Sequence, residues 1–187
     1  MAQSISVTVI TGSATRPSRT LGLASVVTRR LEAEGFVVSV LHVRDLPPEA
    51  LLHARFDDPA IKAAARLVED ADGIVVASPV YKAAYSGVLK SFLDLLPQFG
   101  LRGKTVLPLL TGGSIAHVLA LDYGLRPVLQ SLDPRLVVSG LFVLDKLITL
   151  GSDGGVALDA EIEPRLEAVT KTFIDAIERL PAPAQSA

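Results

Sequence analysis

The chain has 187 residues, 18 of them Lys or Arg and 20 Asp or Glu, which suits one domain and shows no basic stripe or polybasic patch for nucleic acid or an acidic lipid surface. It has no cysteine, so disulfides, thiolate metal sites, iron–sulfur clusters and cysteine nucleophiles are excluded together. With 49% hydrophobic residues it is more apolar than an average domain, as expected of a parallel sheet covered on both faces and of extra surface buried between subunits.

Strand and helix patterns alternate from end to end. Ser4 to Ile10 is a short β-branched strand that stops at Thr11-Gly12-Ser13. Leu23, Val26, Val27 and Leu31 recur at helical spacing, with Gly35 as the stop, and Phe36 to Val43 is the second strand. Asp58 before Pro59 reads as an N-cap with proline at the first helical position, and Ile61, Ala64, Ala65 and Val68 form that helix's buried stripe. Gly73 to Ser78 is a fully apolar third strand ending at Pro79. Val88, Leu89, Phe92, Leu93 and Leu96 mark a helix closed by Pro97. Thr105 to Leu110 is the fourth strand, a helix from about Ile115 to Gln130 follows, and Leu136 to Leu144 is the fifth strand. Ile162, Leu166, Val169, Phe173, Ile177 and Leu180 make a final amphipathic helix.

Five apolar strands alternating with five helices predict an α/β domain with a parallel sheet covered on both faces. Right-handed crossovers leave the flavodoxin-like three-layer sandwich of strand order 2-1-3-4-5 as the natural solution. The expected domain spans residues 1–180, with a disordered tail over 181–187. No apolar run approaches the roughly 20 residues of a bilayer span, and no charged leader precedes the first strand, so a cytoplasmic protein is expected.

In such a sheet ligands bind beyond the carboxyl ends of the strands, where strand order reverses, which here means the loops after strands 1, 3 and 4. The first, T-G-S-A-T-R-P-S-R-T at 11–20, offers hydroxyls at Ser13, Ser18 and Thr20 and free N–H groups at a helix start, with Arg16 or Arg19 adding charge. That chemistry suits a phosphate; an ordinary polar loop with a capping serine would look the same. It is neither G-x-x-x-x-G-K-[ST] nor G-x-G-x-x-G, which weakens ATP and a dinucleotide-type NAD site. In the second loop, S-P-V-Y-K-A-A-Y-S-G at 78–87, Pro79 favours an extended turn presenting the backbone of Val80, Tyr81 and Lys82 to a flat ligand, unless the tyrosines serve a rim or interface. The third, Thr111-Gly112-Gly113-Ser114, allows close backbone approach to a ring edge, or is a simple glycine turn.

Other chemistry finds little support. His42, His53 and His117 make no metal-ligand pair, so no metal is expected, and no G-x-S-x-G elbow accompanies Ser114 and His117. No catalytic acid, base or nucleophile stands out, which suits hydride transfer between a nicotinamide and a flavin, a reaction that needs stacking and orientation more than proton transfer.

Three segments carry a resemblance: S-P-V-Y-K-A-A-Y-S-G-V-L-K at 78–90, P-P-E-A-L-L-H-A-R-F-D-D-P-A-I-K at 47–62 and L-P-L-L-T-G-G-S-I-A-H at 107–117. They resemble the NAD(P)H-dependent FMN reductases of the alkanesulfonate utilisation pathway, and the similarity runs from about residue 5 to 180. The resemblance implies a flavodoxin-like fold, reduction of FMN by NADPH or NADH, and release of the reduced flavin to a sulfonate-cleaving monooxygenase. Carried over by position, it implies the FMN phosphate on Ser13, Ser18, Arg19 and Thr20. The ring would contact Pro79, Val80, Tyr81 and Lys82 and the turn Thr111, Gly112 and Gly113. The family often has arginine two residues after the loop serine; this chain has Thr15 there, with Arg16 and Arg19 available to compensate. A-L-D-Y-G-L-R-P-V-L at 120–129 also resembles the family, whose members can carry a one-residue insertion and π-bulge at a tetramer interface, involving the tyrosine matching Tyr123. Apart from that resemblance, apolar residues lie all round this helix, which implies burial on more than one side and a homodimer or homotetramer, and a plain kink before Pro127 is the simpler geometry.

No tryptophan and nine Phe and Tyr leave little for a two-sided aromatic clamp, so FMN is expected to behave as a dissociable substrate. Two other functions remain on the same scaffold: a quinone, azo-dye or chromate reductase holding FMN permanently, and a flavodoxin-type electron carrier, which the net charge of −2 disfavours.

Overall fold

The computed structural model describes residues 4–152 and 154–179; the tail expected over 181–187 lies outside the described residues. In chain order the elements are β1 (Ser6–Thr11), α1 (Arg19–Ala33), β2 (Val37–His42), α2 (Pro48–Leu52), α3 (Pro59–Glu69), β3 (Gly73–Tyr81), β4 (Ala84–Tyr85), α4 (Gly87–Leu93) and β5 (Thr105–Gly112). A π-helix over Ala120–Leu125 leads directly into α5 (Arg126–Ser131), followed by β6 (Leu136–Val137), β7 (Leu141–Leu144), β8 (Ile148–Leu150), β9 (Val156–Leu158) and α6 (Glu163–Arg179).

The result is a flavodoxin-like α/β sandwich, and period-two burial explains its layers. Ile10, Ile74, Val76, Val106 and Leu110 point to one face, against Ala64 and Val68 of α3, Leu89 and Phe92 of α4 and Leu129 of α5. Val7, Val9, Val75, Ala77, Leu107 and Leu109 point to the other, against Leu23, Val27 and Leu31 of α1 and Leu166, Phe173 and Ile177 of α6. Helix starts follow local chemistry: Asp58 accepts from the N–H groups of Ala60 (2.8 Å) and Ile61 (3.3 Å), and Ser18 accepts from Leu21 N–H (3.3 Å).

The expected count of five strands is corrected. Among the described residues the main sheet has seven, running β2-β1-β3-β5-β6, with β7 also pairing with β5 and β4 folding back antiparallel on β3; β8 and β9 form a separate hairpin. The single strand expected over 136–144 is broken. Leu136 and Val137 pair with Thr105 and Val106, pairing then lapses, and Leu141 to Leu144 resume with Leu109 to Gly112. Pro108 supplies the reason. Val138 N–H donates to Val106 O (2.9 Å), so the even-numbered residues of β5 turn their polar groups toward this edge, where Pro108 has no N–H to give. Opposite it Gly140 comes so close that a Cβ would lie 2.3 Å from the Pro108 carbonyl oxygen. Arg126 Nη1 donates to the carbonyls of Val137 (3.1 Å) and Val138 (3.3 Å) beside the break.

β3 also outruns its expected end at Ser78, continuing through Pro79 to Tyr81 before a two-residue turn. Lys82 (φ 51°) and Ala83 (φ 65°) both adopt left-handed backbone, as a type I′ hairpin requires, although neither is Gly or Asn. Each such residue costs about 1–2 kcal/mol relative to right-handed backbone. Replacing the pair by Asn-Gly should therefore raise stability by about 1 kcal/mol after the added freedom of the unfolded glycine is subtracted. Thermal unfolding of the double variant measures it, and a lower midpoint would contradict the strain.

Candidate active site at three strand ends

Parallel pairing of β1, β3 and β5 brings their carboxyl ends side by side, with Thr11 opposite Ala77 and Pro79 opposite Thr111. Three loops thus meet along one rim. A web of buried hydroxyls ties them together. Ser86 Oγ donates to Gly12 O (2.6 Å) and accepts from Leu89 N–H (3.1 Å), capping α4 on the first loop. The Ser86 N–H donates to Ser78 Oγ (2.9 Å), which itself donates to Pro79 O (2.9 Å). Thr20 and Thr111, both fully buried, share a hydroxyl hydrogen bond of 2.6 Å between the start of α1 and the end of β5.

Within the first loop, Ser13 Oγ donates to Ser18 Oγ (2.7 Å), drawing residues 13–18 into a closed turn at the start of α1. Among the described residues the N–H groups of Ala14, Thr15 and Arg16 meet no protein acceptor, and all three residues are exposed. A turn of free N–H groups and paired hydroxyls ahead of a helix N-terminus fits a phosphate. Arg19 does not face this turn: its Nε donates to Ile148 O (3.3 Å) on β8. Arg16 stays beside the turn, its Nη2 on Asp45 Oδ2 (2.8 Å).

The ring-side residues divide by exposure. Pro79 and Val80 are buried at the end of β3, while Tyr81, Lys82 and Gly113 are exposed at the rim. Gly113 has open space where a Cβ would stand, whereas at Gly112 a Cβ would lie 3.0 Å from the Phe142 ring. The π-helix abuts this corner, with Gly124 facing the half-buried Tyr85 of β4. Tyr123, by contrast, is 80% exposed beside exposed Ile115, Val118 and Leu119.

Of the residues expected to meet a ligand, the structure gathers Ser18, Tyr81, Lys82 and Gly113 on accessible loops, buries Ser13 with its hydroxyl on that of Ser18, and engages the Thr20 and Thr111 hydroxyls with each other. Sequence reasoning missed Ser78, Ser86, Arg44 and Asp45. The last two lie just after β2, and strand pairing of β2 with β1 is the signal that would have brought them in. His42, opposite Thr11 at the end of β2, has Nδ1 2.7 Å from Thr11 Oγ1. Burial lowers its pKa, partly opposed by Asp45 and reinforced by Arg16 and Arg44, so it stands neutral at pH 7. Burial likewise pushes the Tyr85 phenol up. Among the described residues no cluster of His, Asp and Glu suited to a metal occurs, and no helix is long and apolar enough to cross a membrane. A cavity of about 590 Å³ between α1 and α6 shares no residue with the three loops and is lined largely by charges, including Arg30, Glu163, Glu167 and Lys171.

Residues 5–147 match the family model described as NADPH-dependent FMN reductase. The chain is 44% identical over 175 residues to an FMN reductase (NADPH) of Pseudomonas putida, covering 93% of this chain and 89% of that protein. It is 42% identical over 175 residues to an FMN reductase (NADPH) of Escherichia coli, covering 92% and 90%. Among solved structures it is similar to an NADH:FMN oxidoreductase in its apo form, with a TM-score of 0.85, 41% identity and coverage of 97% of this chain and 92% of that one.

Proposed function

Because the chain belongs to the NADPH-dependent FMN reductase family, we infer that it is an oxidoreductase that passes a hydride from NADPH or NADH to FMN. The observation that carries this reading is the rim itself: a turn of free N–H groups on one strand end, and an exposed hairpin and glycine turn on the two beside it. The flavin, when bound, supplies the ring that accepts the hydride; the chain binds and orients.

Ser13, Ser18 and the N–H groups of residues 14–16 hold the phosphate, with Arg16 as its cation and Arg19 set back toward β8. The backbone of Pro79, Val80, Tyr81 and Lys82 and the turn at Gly112 and Gly113 take the isoalloxazine. Thr20 and Thr111 act behind these contacts, locking the phosphate turn to the ring-side turn. In this reading the residues contribute by binding and aligning two rings, which is what hydride transfer asks of a protein.

The reduced flavin, in this reading, leaves for a partner monooxygenase acting on sulfonates in the cytoplasm. What supports that finer step is the resemblance of segments 47–62, 78–90 and 107–117, and the small aromatic content, which leaves FMN weakly held. Ile115, Val118, Leu119 and Tyr123 form the contact between copies in a homodimer or homotetramer, since an apolar strip of this kind is rarely left in water. The whole of residues 1–180 acts as one domain.

Oxidation of NADPH and of NADH is the test, with FMN, FAD or riboflavin added to dialysed protein. Turnover should require added flavin, and kcat/KM should favour FMN over riboflavin by about tenfold or more, the value of one or two charge-assisted hydrogen bonds. Equal use of riboflavin would remove the phosphate turn from the site, and turnover without added flavin would argue for permanently bound FMN.

A further inference from the structure

We propose that Asp45 sets the affinity for FMN by competing with the flavin phosphate for Arg16. The proposal rests on the phosphate turn assigned above and adds a residue outside it. Asp45 lies just beyond β2, the strand that pairs with β1, and so sits beside the turn that β1 feeds. Its two carboxylate oxygens are divided between two arginines: Oδ2 takes Arg16 Nη2 at 2.8 Å and Oδ1 takes Arg44 Nε at 3.2 Å. Arg44 in turn lays Nη1 against the carbonyl of Ala14, inside the turn, at 3.4 Å. Arg44, with a side chain only 21% exposed, is therefore the fixed post that holds the carboxylate next to the turn. Arg16 and Asp45 are each 53% exposed, so their bond is made in water and breaks at little cost.

The turn has two arginines in its own sequence, and Arg19 is directed to Ile148. A phosphate arriving at the turn beside Ser13 and Ser18 thus finds Arg16, the cation of the turn's own sequence, already engaged, and meets a carboxylate held close by. Both effects weaken binding. The consequence suits an enzyme whose product must leave: reduced FMN keeps its phosphate, and Asp45 reclaims Arg16 as the phosphate departs. Asp45 is in this sense an affinity-setting residue that works through Arg16 and touches neither ring.

The test is the dissociation constant of FMN and of riboflavin, read by flavin fluorescence, for the wild type, Asp45→Asn, Arg16→Gln and the double variant. Asp45→Asn should tighten FMN by about three- to tenfold, the range expected from freeing one exposed arginine and removing one nearby carboxylate, and leave riboflavin unchanged. Arg16→Gln should weaken FMN, and in that background Asp45→Asn should change FMN affinity by less than about twofold. Unchanged or weaker FMN binding by Asp45→Asn would overturn the proposal. So would an equal gain with Arg16 absent, which would mean general repulsion, or a parallel gain for riboflavin, which would mean a structural effect. Wild-type protein that binds riboflavin as tightly as FMN would instead strike at the phosphate turn, and the proposal would fall with it.

Discussion

Replacing Ser86 by alanine should cost about 2–4 kcal/mol of stability and lower kcat/KM for FMN by roughly tenfold to a hundredfold, although Ser86 lies beneath the rim. Its hydroxyl does two things at once. It caps α4 by accepting from Leu89 N–H, and it donates to the carbonyl of Gly12, where the phosphate turn leaves β1. Alanine leaves both backbone groups buried without a partner, each loss worth about 1–3 kcal/mol. No water can take over readily, because a Cβ on Gly12 would stand 2.5 Å from Leu89 Cβ and 2.8 Å from Ser86 Oγ, so the two elements are already in contact. The turn loosens as the cap is lost. FMN should suffer more than riboflavin, since the element set free is the one that faces the phosphate. Denaturant unfolding and kinetics with both flavins check this; equal losses for the two would place the effect in the ring-side turns.

Phe173→Ala is expected to be costlier still for the fold, about 3–5 kcal/mol, and to leave flavin preference alone. Phe173 is fully buried on α6 and packs where Gly73 opens β3: a Cβ at Gly73 would lie 2.9 Å from the Phe173 ring and 2.4 Å from Ile177 Cδ1. Truncation leaves a cavity between helix and sheet that neighbouring Leu166 and Ile177, held by their own helix, cannot fill. For a chain of this length the midpoint of thermal unfolding should fall by roughly 10 °C. At a temperature where the variant is folded, its ratio of FMN to riboflavin activity should match the wild type, because Gly73 starts β3 at the end opposite the rim. A changed ratio would mean that the core and the rim are coupled.

The two variants also mark what periodicity and composition reveal. β1, β3 and β5 are read easily because both faces of each are covered, so β3 and β5 carry continuous apolar stretches (Ile74–Ala77 and Val106–Leu110) and β1 a short β-branched one, and α3 and α6 are read from stripes at helical spacing with Asp58 capping the former. What escapes is set by residues far apart in the chain. The break between β6 and β7 originates in a proline on the neighbouring strand. The β3–β4 hairpin lacks the Gly or Asn that announces such a turn, and the two strands of the β8–β9 hairpin are three residues each. The site follows the same rule. Ser13 and Ser18 announce themselves by being in one loop. That the Thr20 hydroxyl meets that of Thr111, 91 residues away, or that Arg19 reaches Ile148, 129 residues away, is written in the packing of α1 on the sheet. Arg44 and Asp45 look like an ordinary charged turn until β2 is set beside β1.

The interrupted strand also bears on how the protein would aggregate. An open margin of a sheet templates strand addition from another molecule when it is long, straight and regular. On the β6–β7 side the ladder comes as a two-residue and a four-residue piece with a kink between them, a poor template for a growing fibril. The opposite margin, β2, runs six residues without a break and exposes Val37 and Val40, so self-association of partly unfolded molecules should begin there. A lysine at either valine is the economical place to suppress it.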